Sequence, residues 1–194
     1  PWRSPRGLLE RRAGVYSGER ADAHGGLHAA RDCTRRSSGC IASASMSESL
    51  DLVERFRRVR ERSLSLCAPL SAEDAQIQSM PDASPAKWHL AHTTWFFETF
   101  VLGEQSPWSY LFNSYYEAIG ARVERARRGL VTRPSLAEVH SYRERIDARV
   151  LHLLSEHRAK ASLVELGLHH EQQHQELVLT DLKHALGTQP LRPA

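Results

Sequence analysis

The segment "LGLHHEQQHQELVLTDLKHALG", Leu166 to Gly187, places two imidazoles one helical turn apart, at His170 and His174. On a helix, Leu163, Leu166, His170, His174, Leu177 and Asp181 share one face, because they recur at steps of three and four. Two imidazoles at that spacing project side by side and are placed to chelate one metal ion. Burying them without partners would cost on the order of 1–3 kcal/mol each. Hydrogen bonds to neighbouring side chains would meet that need, and so would a metal. A third histidine from another helix would favour the metal.

The leading third candidate is His92 in "WHLAHTTWFFE". Trp88, Trp95 and Thr99 lie at −4, +3 and +7 from it, which puts His92 on the packed face of its own helix. His89 sits about 60° around that helix and is the second choice. His169 points away from its neighbour, and His184 lies about 80° off the face of His174. His140, His152 and His157 read as surface or core-edge residues. "HEQQH", His170 to His174, also matches the zinc-protease pattern in which the glutamate, here Glu171, serves as general base. The extended form of that pattern has Gly and His where this chain has Leu177 and Thr180, and no Glu follows Glu176. A protease would lack its third ligand.

Four helices are expected to position these residues. The first runs from about Ser49 to Leu66 on a stripe of Leu50, Val53, Phe56 and Val59. The second opens with Ser84 as N-cap and Pro85 in the first helical position, and stops at Gly103. The third opens with a capping box from Ser135 to Glu138, followed by the stripe Val139, Tyr142, Ile146, Val150 and Leu153. The fourth opens with a second box, Ser162 to Glu165, and closes at Gly187. A connection from about Glu104 to Pro134 joins the second helix to the third, longer than compact bundles usually need and therefore of functional interest. The fold class is all-α, a four-helix bundle.

With 194 residues, 41% of them hydrophobic, the chain has the material for one soluble domain. No apolar run reaches the roughly 18 residues of a membrane span. Residues 1–45 hold eight arginines against four carboxylates, a charge of +4, so the remaining residues sum to −1 of the total +3. That balance gives the folded part no electrostatic footprint for nucleic acid. Cys33, Cys40 and Cys67 form no ligand pattern and are odd in number, which points to a reducing, cytoplasmic setting. Residues 1–45 lack sustained periodicity and read as a disordered tail, or as sequence upstream of a start at Met46; an organelle transit peptide is the alternative.

"SMPDASPAKWHLAHTTWFFETFVL", "YLFNSYYEAIG" and "LGLHHEQQHQELVLTDLKHAL", in this order, closely resemble the N-terminal domain of ergothioneine-biosynthesis sulfoxide synthases (EgtB-type, hercynine oxygenases). The resemblance covers about residues 46–190. It implies a DinB-like four-helix bundle that binds non-haem iron(II) through His92, His170 and His174. The implied chemistry joins hercynine to γ-glutamylcysteine or cysteine with dioxygen, giving a sulfoxide. Three neutral imidazoles would leave the ion its full charge and, in an octahedral site, about three open positions. Gln173 resembles a family glutamine that holds hercynine through water, and Arg128 an arginine that contacts the carboxylate of the thiol substrate. Family members continue into a domain similar to the formylglycine-generating enzyme, which supplies most substrate contacts and a catalytic tyrosine. Residues 191–194 would then begin the linker to that domain, and none of Tyr110, Tyr115, Tyr116 or Tyr142 is assigned the catalytic role. A stand-alone DinB-like thiol transferase using the same histidines, and a helical module with histidines in its core, are the alternatives.

Overall fold

Among the residues that the computed structural model describes (37–114, 116, 118, 120–156 and 160–191, with side chains from Asp51 onward), four long helices make the architecture. Helix α1 spans Ser37–Cys67, α2 Ala86–Phe96, α3 Leu136–Glu156 and α4 Ala161–Gly187. A π-helical stretch, Phe97–Leu102, prolongs α2 and ends at Gly103, whose φ of 77° is left-handed and suits glycine. The described residues contain no strand, so the all-α bundle with a long connection between its second and third helices is what the chain forms. Ala42–Ala194 make up one compact unit. No helix among the described residues is long and apolar enough to cross a membrane.

Every residue of α2 is buried. Its sequence, AKWHLAHTTWF, carries a single charged side chain, Lys87, and a helix with no charged face belongs at the centre of a fold. α3 and α4 pack directly against it. The long connection covers it as well, through a one-turn helix at Ser109–Phe112 and a 3-10 helix at Arg125–Leu130. Trp88 Nε1 donates to the carbonyl of Leu111 at 3.0 Å. Trp88 and Trp95 are each at most 2% exposed, and burying an aromatic ring of this kind stabilises a fold by roughly 1.5–3 kcal/mol. A second apolar cluster joins Phe56 and Val59 of α1, Tyr142, Ile146 and Val150 of α3, and Val164 and Leu168 of α4.

The capping box from Ser135 to Glu138 forms in both directions. The Ser135 N–H donates to Glu138 Oε2 at 2.7 Å, and the Glu138 N–H donates to Ser135 Oγ at 3.2 Å. The other helix starts differ from expectation. α1 begins at Ser37, about twelve residues before the apolar stripe, so part of the segment read as a tail is helical. Its opening "SSGCIASASMS" is rich in small residues, compatible with a helix but without the periodicity that reveals one. The remainder of that segment, residues 1–36, lies outside the described residues, as do the Leu50 side chain, Tyr115 and His157.

Pro85, not Ser84, occupies the N-cap position of α2. Ser84 is drawn into tertiary bonds: its N–H donates to Asp181 Oδ2 at 2.8 Å, and its hydroxyl accepts from Arg128 Nη1 at 2.9 Å. α4 starts at Ala161 with Lys160 as its cap, which leaves Ser162 inside the first turn with no box to make. The inner face of α4 is also rotated from the expected one. Val164, Gly167, Leu168, Glu171 and Val178 are buried, while Leu163, Leu166, His170, His174 and Leu177 are half-buried along its flank.

Candidate metal centre

His92 on α2 and His170 and His174 on α4 converge, each offering one ring nitrogen within 4.8 Å of the other two. Their ring centres are 4.6–5.0 Å apart. The contact depends on a close approach of the helices. A Cβ on Gly167 would stand 2.6 Å from Phe97 Cε1, so only glycine lets α4 settle this near the aromatic end of α2. Phe96 then packs on the His170 ring at 4.6 Å between centres, and Trp88 stacks on His92 at 4.6 Å and 10°.

Hydrogen bonds decide which nitrogens are available. The carbonyl of Phe112 lies 2.6 Å from His92 Nδ1 and can only accept, so the His92 proton is on Nδ1 and its Nε2 carries a lone pair. That Nε2 stands 3.2 Å from Nε2 of His170. Two nitrogens bound to one ion at about 2.1 Å and roughly 90–110° would be about 3.0–3.4 Å apart, so this pair fits a shared metal. Among the described residues, Nδ1 of His170 is buried without a hydrogen-bond partner. His89, the second-choice ligand, instead reaches His174, Nδ1 to Nδ1 at 2.8 Å, and Asp181 Oδ2 at 3.0 Å through Nε2.

The electrostatics suit metal ligation too. Burial, and then the His170 ring, hold His92 well below the usual histidine range. Burial followed by His92 and His170 does the same for His174, and burial brings His170 down to about 4. All three rings are therefore neutral at pH 7, the form that binds metals. Imidazole donors suit zinc, copper, iron and nickel alike, so the ligand set by itself does not choose among them.

Glu171 excludes the protease alternative. It is 1% exposed and its carboxylate is held in a charged network. Arg60 donates to it at 2.8 Å, Ser63 at 2.6 Å, and Arg143 also donates to it. Arg60 in turn holds Asp147 at 2.6 Å and Thr94 at 3.0 Å. Burial would raise the Glu171 carboxyl, but Arg143 and Arg60 outweigh it and hold the pKa down at about 2. A carboxylate so engaged is no general base. Tyr142 is likewise occupied, its hydroxyl donating to Glu98 at 2.6 Å.

Arg128 lies beside the histidines. It is 4% exposed, donates to Ser84 and to Ser114 (3.1 Å), and holds its guanidinium carbon 3.5 Å from the Trp88 ring centre. Its charge is among the causes that depress His89, His92 and His174. Gln78 fixes the turn that carries it, accepting from the Gly129 N–H at 2.6 Å and donating to the Arg125 carbonyl at 2.7 Å. Gln173 is exposed, one residue before His174.

Several residues of the site carried no signal of their role in the sequence. The Phe112 carbonyl, Ser84 and Ser114 hold site residues through backbone or short polar groups. Asp181 stood on the histidine face of α4 and His89 one turn before His92, which was the available hint. A family model described as the DinB superfamily matches residues 55–178, a span that includes all three converging histidines. No curated protein matches the chain.

Proposed function

The chain belongs to the DinB superfamily, and on that premise we propose that it is the iron(II)-binding domain of an oxygen-dependent sulfoxide synthase of ergothioneine biosynthesis. The reaction joins hercynine to γ-glutamylcysteine or cysteine: one C–H, one S–H and dioxygen give a carbon–sulfur bond, a sulfoxide oxygen and water. The observation that carries the metal assignment is the convergence of three neutral imidazoles from two helices. The substrate assignment is supported by the three sequence segments that resemble sulfoxide synthases.

His92, His170 and His174 would hold the ion, and iron(II), when bound, supplies the dioxygen chemistry. With no carboxylate among the three ligands, their neutrality favours an anionic thiolate as a further ligand. The buried Arg128 guanidinium adds positive charge on the same side, suited to the carboxylate of a thiol substrate. Gln173, on the exposed side of α4, is the residue assigned to hercynine. A formylglycine-generating-enzyme-like domain would supply the remaining substrate contacts.

The test is calorimetric titration of hercynine into the iron-loaded full chain without oxygen, followed by γ-glutamylcysteine and air with mass spectrometry for the sulfoxide. Iron-dependent hercynine binding that weakens in Gln173→Ala is the expected result. An iron-loaded, folded chain that takes up neither hercynine nor thiol, alone or beside a formylglycine-generating-enzyme-like domain supplied in trans, would refute the substrate assignment.

A further inference from the structure

One histidine of the three-histidine site, His174, is held by a chain of polar contacts from residues outside the site. Asp181 Oδ2 lies 3.0 Å from His89 Nε2, and His89 Nδ1 lies 2.8 Å from His174 Nδ1. Asp181 is 8% exposed and His89 4%, so water does not compete strongly for these contacts. The Ser84 N–H also donates to Asp181 Oδ2, at 2.8 Å, which fixes the carboxylate from the segment that leads into α2.

We propose that His89 and Asp181 are positioning residues of the metal site, acting on His174 through its tautomer. An ionised carboxylate only accepts hydrogen bonds, so the proton of the His89–Asp181 bond sits on His89 Nε2. A neutral His89 then has a bare Nδ1, which accepts from His174 only if His174 carries its proton on Nδ1. Nε2 of His174 is thereby left with its lone pair and becomes the ligating nitrogen. The Phe112 carbonyl does the same for His92 directly. Two of the three ligands thus have their proton placed by a partner on the far side of the ring, and for His174 that partner is a carboxylate–imidazole pair rather than a single acceptor. Without the pair, His174 would be free to present N–H toward the ion.

This inference rests on the three-histidine site, and two measurements keep the two claims apart. The first needs no metal: nitrogen NMR of the ¹⁵N-histidine-labelled full chain reports the tautomer of each ring. The expected result is His174 protonated on Nδ1; protonation on Nε2 would overturn the inference and leave the site standing. The second is metal affinity, with cobalt(II) as an optical probe, in the wild-type chain, His89→Phe and His89→Gln. Phe fills the space without an acceptor, whereas the Gln carbonyl accepts from His174 while its amide donates to Asp181. His89→Phe is expected to bind about 10–100-fold more weakly, with a changed visible spectrum, and His89→Gln to recover most of the loss. Wild-type binding matched by a folded His89→Phe would overturn the inference alone. A wild-type chain that binds no metal would overturn the three-histidine site and the inference with it.

Discussion

The Nε2 atoms of His92 and His170 stand 3.2 Å apart, while the proton of His92 is held on its other nitrogen by the carbonyl of Phe112. A lone pair is therefore aimed into a space that a second imidazole also faces. Trp88 lies flat on the same His92 ring, and Trp95 is 5.5 Å from it between centres. A paramagnetic ion at this point should quench both indoles. We expect cobalt(II) to remove a large fraction of the tryptophan emission of the full chain and zinc(II) much less. The remainder should come from Trp2 and Trp108, the other two of the four tryptophans. Equal emission before and after saturation with cobalt would place the ion elsewhere.

Glu171→Gln tests whether that residue is structural. The substitution leaves Arg60 and Arg143 buried with only Asp147 to offset them, and breaking a buried pair of this kind costs about 3–5 kcal/mol. Urea denaturation should show the loss. Metal stoichiometry at a temperature where the variant is folded should be unchanged, because the Glu171 carboxylate is taken up by Arg60, Ser63 and Arg143 and is not among the converging groups. Loss of metal at full stability would mean that the glutamate serves the site after all.

Acid should weaken the metal-free chain in two stages. His92, His170 and His174 all titrate lower in the folded chain than the ordinary value of 6.5, so below that value the unfolded chain binds more protons. Their contribution is fully present above about pH 6.5 and is lost as the pH falls, down to about 4 for His170. Each such histidine contributes a slope of up to about 1.4 kcal/mol per pH unit. Glu171 acts lower. Its stabilisation is present above the ordinary carboxylate value of 4.5 and disappears as the pH falls to about 2. Urea midpoints in chelator should be flat from pH 8 to 7 and fall steadily from 6.5 to 5. A flat profile down to pH 5 would contradict the neutral state of the three histidines.

Gly167→Ala should destabilise, although alanine favours a helix by about 1 kcal/mol. The new Cβ would meet Phe97 at 2.6 and 2.8 Å and Phe96 at 3.2 Å. Forcing these rings apart costs about 1–3 kcal/mol, which outweighs the helix gain. Because Phe96 also packs on His170, metal affinity should fall with stability. A stabilised variant with unchanged affinity would show that α4 has room to move.

The candidate histidines were legible because helical spacing groups them, although the side of α4 that they share is its half-buried flank and not its buried face. His170 and His174 are four apart, and His92 lies in register with Trp88 and Trp95, so no tertiary knowledge was needed to choose them. The Ser135–Glu138 box was legible for the same reason, being a bond within one turn. The local pattern at Ser84 fits a cap, while its actual partners, Asp181 and Arg128, come from distant segments. The role of His89 was out of reach on similar grounds. Whether it points at a metal or at His174 depends on the rotation of α2 against α4, which Gly167, Phe96 and Phe97 set through ring packing. The early start of α1 was hidden by small residues that form a helix without marking one face.

The most direct measurement is an anaerobic titration of the full chain with iron(II), beside His174→Ala, followed by metal analysis of the desalted protein. One iron per wild-type chain, lost or at least severely weakened in a folded His174→Ala, is the predicted result. Iron retained equally by both proteins, or by neither while the wild-type chain is fully folded, would contradict a centre built from His92, His170 and His174.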